Sequence, residues 1–145
     1  MTNFNGEPPR RPLPLPPPES LGFWEAARHH KLKVPRCDSC EQAWFPPSGL
    51  CPNCLSDKSH WEQVSGCGKV FSFVVVHRVY NRYFADKVPY VVAVIELAEG
   101  PRLLSNVVDV DPAVMRCGLA VEVLFDDAGP GSTLPKFRPS AAPPA

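Results

Sequence analysis

The spacing of four cysteines constrains this chain more than any other feature. Cys37-Asp38-Ser39-Cys40 and Cys51-Pro52-Asn53-Cys54 are two C-x-x-C turns with ten residues between them. Each pair offers two thiolates from one tight turn, and the intervening loop lets the turns face each other. Four sulfurs in a tetrahedron suit Zn(II), with iron as the redox-active alternative. A closed four-sulfur site has no open position for substrate, so Cys37, Cys40, Cys51 and Cys54 are read as ligands of a structural zinc ribbon.

Six cysteines raise the alternative of a disulfide framework, and context argues against it. No charged segment leads into an apolar signal core, and no apolar run is long enough to span a bilayer. In a reducing compartment, paired C-x-x-C spacing means metal. The expected location is the cytoplasm, without membrane association. Cys67 and Cys117 each stand alone beside a glycine and are expected to be small apolar side chains near turns.

The chain of 145 residues divides by composition. Residues 1–19 form a proline-rich leader, without hydrophobic periodicity, expected to be extended or disordered. Residues 20–33 read as a docking helix, with Ser20 as N-cap and Leu21, Trp24 and Ala27 on one face beside Phe23. Residues 34–61 hold the ribbon, too small for a core of its own and dependent on metal. Its turns carry Glu41 and Leu55 where glycine is often found, so one turn is expected to be less regular.

Residues 62–138 change character. Segments 70–77, 89–97, 103–108, 121–125 and 134–138 are short strand candidates, and Asp111-Pro112 opens a helical turn between the third and fourth. That order is the order of an OB-fold, a small closed Greek-key barrel. The fold class is therefore mainly β: an N-terminal helix and zinc ribbon, then a five-stranded barrel, with residues 139–145 as a tail.

Charge argues against one class of partner. The chain carries 15 basic and 15 acidic residues, with no segment holding a cationic surplus. Non-specific nucleic-acid binding needs such a surplus to displace counterions from phosphates. No phosphate-binding glycine loop, nucleophile elbow or paired acid and base stands out, so the chain alone carries no recognisable catalytic set.

The residues Gly22-Phe23-Trp24-Glu25, Cys37-x-x-Cys40, Phe45-Pro46-Pro47 and Cys51-Pro52-x-Cys54 are followed in order by a second series. It comprises Val64-Ser65-Gly66, Val70-Phe71-Ser72-Phe73, Val76-His77-Arg78 and Pro89-Tyr90-Val91-Val92-Ala93. Residues 99–106 and Leu134-Pro135-Lys136-Phe137-Arg138 complete it. This ordered series resembles the OB-fold proteins with an N-terminal rubredoxin-like zinc ribbon, known as the domain of unknown function thirty-five family. The resemblance covers residues 21–138; the leader lies outside it.

The resemblance implies a non-catalytic subunit that buttresses a thiolase-like large subunit and helps shape an acyl-CoA site, in C–C bond cleavage or formation within a degradation pathway. Under it, Phe23 and Trp24 are candidate partner contacts, as are Tyr80, Tyr83 and Phe84 of the loop after the first barrel strand. Arg78, Arg82 and Lys87 are candidate contacts to CoA phosphates. Two alternatives stay open. One is a single-stranded nucleic-acid-binding barrel stacking bases on Phe71, Phe73 and Tyr90. The other is an electron-carrying iron site.

Overall fold

The computed structural model describes residues 6–141; the first five residues of the leader and the last four of the tail lie outside it. Leader residues 6–17 run without regular secondary structure into a 3-10 turn at Pro18–Ser20 and helix α1, Leu21–Arg28. Strands β1 (Lys33–Cys37) and β2 (Ser59–Gln63) form an antiparallel pair that carries the ribbon. Strands β3 (Cys67–Val76), β4 (Tyr90–Leu97), β5 (Arg102–Val107), β6 (Ala120–Gly129) and β7 (Ser132–Pro139) close into a barrel in the order β3-β4-β5-β7-β6. The expected helical turn is the 3-10 segment Pro112–Val114, with Asp111 Oδ1 accepting from the Ala113 N–H at 2.9 Å. This is the five-stranded OB architecture read from the sequence.

Alternation builds the barrel. In β4, Val91, Ala93, Ile95 and Leu97 are buried, while the residues between them face outward and are only partly covered. They meet Val70, Leu103, Val107, Val121 and Phe137 in one core. Burial of each large apolar side chain contributes roughly 1.5–3 kcal/mol. A bulge between Val70 and Ser72 interrupts the β3–β4 register. Phe71 sits at that bulge, 47% exposed, whereas Phe73 packs on the core. At closure, β5 meets β7 in parallel at Val107 and Phe137, and β3 meets β6 antiparallel from Cys67 to Lys69. Gly68 lies at this seam because a Cβ there would stand 2.5 Å from the Glu96 carbonyl oxygen.

Helix α1 buries a different face from the one expected. Phe23, Ala26 and Ala27 are buried, Trp24 is half-buried, and Leu21 is 54% exposed. Gly22 explains the rotation: a Cβ on it would stand 2.3 Å from the Trp61 indole, so the helix sits flush on that ring. Phe23 meets Trp24 edge-on at 5.1 Å and Phe45 at 5.0 Å. Ser20 does not cap the helix; its hydroxyl donates to the Pro17 carbonyl at 2.9 Å, closing the preceding turn.

Candidate metal centre and partner surface

The two cysteine turns are built alike. The Cys37 N–H donates to the Gln42 carbonyl and the Glu41 N–H to the Cys37 carbonyl; the Cys51 N–H donates to the Ser56 carbonyl and the Leu55 N–H to the Cys51 carbonyl. Both Glu41 (φ 62°) and Leu55 (φ 63°) adopt the left-handed conformation. The expectation that lack of glycine leaves one turn less regular is therefore corrected: both turns accept a strain of about 1–2 kcal/mol at these positions. Arg36 helps hold the first turn, donating to the Glu41 carbonyl while pairing with Glu62 on β2. His60 on β2 meets Asp38, and the Ser39 hydroxyl donates to the Ser56 hydroxyl at 3.0 Å across the two turns.

This scaffold brings all four sulfurs within 4.8 Å of one another. Cys37 and Cys54 stand 3.5 Å apart, and Cys40 and Cys51 3.6 Å. A tetrahedron with metal–sulfur distances near 2.3 Å has edges of about 3.8 Å, so the sulfur cage fits such an ion. Cys37 and Cys51 are buried with Trp44 in a small cluster of their own, where the Trp44 N–H donates to Ser48.

Electrostatics agree with the spacing. The Cys40 N–H donates to Cys37 Sγ and, with the Ser39 N–H, lowers the Cys37 thiol. The Asn53 side-chain amide donates to Cys40 Sγ at 3.5 Å and, aided by the Gln42 N–H, draws that thiol down to about 6. Cys54 behaves oppositely. Although the Ser56 N–H pulls it down, its neighbours Cys37, Cys40 and Cys51 leave it raised to about 12. Sulfurs this close titrate as a set and ionise together only around a cation.

The β3–β4 loop gathers the remaining candidates unevenly. Tyr80 is 76% exposed, with Arg78 over its ring at 5.5 Å. Tyr83 and Phe84 are half-buried, edge-on to each other at 5.0 Å, and Phe84 continues onto Tyr90 at 5.4 Å. Lys87 lies 4.1 Å over Tyr83 and pairs with Asp86 at 2.9 Å. Arg82 and Lys87 line one cavity of about 310 Å³ with Pro8, Pro9 and Tyr83; Arg78 is not among its lining. Phe23 belongs to none of this surface. At 5% exposure its ring is spent on the chain's own core, contrary to its expected place against a partner.

The stacking residues of the nucleic-acid alternative do not form one platform. Phe71 is covered by the Arg102 guanidinium at 3.7 Å, Phe73 packs on the core, and Tyr90 packs on Phe84. Lys69 and Arg102 both pair with Glu96, so those two cations are neutralised locally. Cys67 and Cys117 are exposed rather than apolar fillers. Sequence reasoning missed Asn53 beside Cys40, although an amide inside a cysteine turn is a readable signal. It also missed Val74 and Leu104, 59% and 69% exposed on the outer barrel face, which strand alternation assigns outward. Among the described residues no helix is long and apolar enough to cross a membrane.

Fold and site together define a class: a four-cysteine ribbon joined to a closed OB barrel. Residues 24–59 match the family model for the ChsH2 rubredoxin-like zinc ribbon domain, and residues 61–126 match that for the ChsH2 C-terminal OB-fold domain. A DUF35 domain-containing scaffold protein of Methanothermobacter thermautotrophicus is 36% identical over 110 residues, 74% of this chain and 81% of that protein. The chain belongs to the DUF35 family. A probable enoyl-CoA hydratase alpha subunit of Thermomonospora curvata is 36% identical over 130 residues, 90% of this chain. The match spans only 40% of that longer relative. Among solved structures, a chain of the Ltp2-ChsH2(DUF35) aldolase superposes with a TM-score of 0.80 at 36% identity, over 87% of this chain and 98% of that one.

Proposed function

We propose that this chain is a zinc-binding, non-catalytic scaffold subunit of a hetero-oligomeric acyl-CoA enzyme, whose larger thiolase-like partner makes or breaks a C–C bond. The observation that carries this reading is its likeness, across 98% of the matched chain, to a chain of the Ltp2-ChsH2(DUF35) aldolase. The relative from Thermomonospora curvata, a probable enoyl-CoA hydratase alpha subunit, supports the acyl-CoA setting. Chemistry within the chain is compatible. Cys37, Cys40, Cys51 and Cys54 would hold the ion, which pins the two turns together and, with four sulfurs, offers no site for substrate. Tyr80 and Trp24 are then the aromatic contacts offered to the partner, with Tyr83 and Phe84 supporting the loop from within. Arg78, Arg82 and Lys87 supply a cationic edge for CoA phosphates.

Recovery of the untagged protein from its native cells tests the assembly. A larger thiolase-like protein should co-elute, and the isolated chain should show no thiolase or aldolase turnover. A chain that runs alone in native extract, or turns over by itself, overturns the reading. Metal analysis should give one colourless zinc per chain; a coloured iron protein would replace zinc with the redox alternative.

A further inference from the structure

The leader meets the barrel at three places. The Arg11 guanidinium forks onto the Asp126 carboxylate, with Nη1 at 3.4 Å from Oδ1 and Nη2 closer to Oδ2; the two side chains are only 22% and 29% exposed. The same guanidinium lies 5.9 Å over the Tyr83 ring. Pro8 and Pro9 wall the cavity that Arg82, Tyr83, Ala85, Asp86 and Lys87 complete. Near the hairpin tip, a Cβ on Gly129 would lie 3.9 Å from Leu13 Cδ1.

These anchor points belong to two different loops. Tyr83 is in the β3–β4 loop; Asp126 and Gly129 lie at the end of β6, entering the β6–β7 hairpin. In an OB barrel these are the loops between the first and second and between the fourth and fifth strands. They flank the cleft in which such barrels take extended polymers. A proline-rich segment suits such a place, because its restricted backbone loses less entropy on being held than an ordinary chain.

We propose that residues 8–13 of the proline-rich leader are a built-in strap, an intramolecular occupant of the barrel's loop cleft that fixes the β3–β4 loop against the β6–β7 hairpin. This inference goes beyond the scaffold reading and stands whether or not a partner subunit is found. The fork is well placed for the task. Asp126 also takes Lys136 at 2.8 Å, so removing Arg11 leaves no bare carboxylate in the barrel. Loss of the strap therefore alters the loop without unseating the core.

Hydrogen exchange of the full chain, wild type against Arg11→Ala, reads this directly. Amides of residues 80–88 are expected to exchange about five-fold faster in the variant, while Val91, Ala93 and Ile95 on β4 keep their protection. Asp126→Asn approaches the same pair from the barrel side and should reproduce the pattern. Unchanged exchange in 80–88 in both variants overturns the strap, as does a change spread evenly over the barrel.

Discussion

The side-chain amide of Asn53, in the second cysteine turn, donates to the Sγ of Cys40, in the first, at 3.5 Å. The two turns thus share more than an ion. Asn53 stabilises the negative charge that Cys40 must carry to bind metal. Hydrogen bonds of this kind to metal ligands are worth about 10–100-fold in affinity. Asn53→Ala should weaken zinc binding about ten-fold, read by competition with a chromophoric chelator; an unchanged constant removes Asn53 from the site.

Phe23 distinguishes internal packing from partner contact. Its ring is buried among Trp24, Phe45 and the barrel core. Phe23→Ala should cost the isolated chain about 3–5 kcal/mol, measured by denaturant unfolding. Tyr80→Ala, at an exposed ring, should stay within about 0.5 kcal/mol of wild type. Equal stability losses at the two positions would contradict this division of roles.

Gly68 is fixed by backbone rather than by a movable side chain. Its missing Cβ would meet the Glu96 carbonyl oxygen at 2.5 Å. Gly68→Ala should therefore destabilise the barrel by about 1–3 kcal/mol. Gly22→Ala meets an indole that can swing, and should instead increase Trp61 exposure, visible as a red shift in its fluorescence. A neutral Gly68→Ala would mean that the strand seam has slack.

Asp126 gives the strap a pH signature. Arg11, with Lys136, holds its carboxyl down to about 2, below the ordinary value of about 4. A lowered folded-state value means that the pair's stabilisation is complete above about pH 4 and is lost as pH falls through about 2. Tyr83 ring resonances, which sense the Arg11 guanidinium, should shift with a midpoint near 2. A midpoint near 4 would show that Arg11 does not hold Asp126 in solution.

Much of this molecule was readable because its signals are local. Cysteine spacing names the sulfur cage, since each pair is brought together by a single turn. The apolar run 89–97 names a strand, though not which of its side chains enter the barrel, and Asp111-Pro112 names a turn by its cap. What escaped depends on distant partners. The buried face of α1 is decided by Gly22 against Trp61, 39 positions apart by their numbers, and by packing on β1 and β7. The pairing of Arg11 with Asp126 spans 115 residues, and composition alone gave the leader no anchor. Left-handed Glu41 and Leu55 escaped for another reason: propensity argues against them, and the hydrogen-bonded cysteine turns override it.

Closure of β5 onto β7 rests on one paired position, Val107 with Phe137, and closure of β3 onto β6 on three, Cys67 to Lys69. The two seams are therefore the narrowest stretches of main-chain pairing in the cylinder, and a substitution at Val107, Phe137 or Gly68 acts on closure itself.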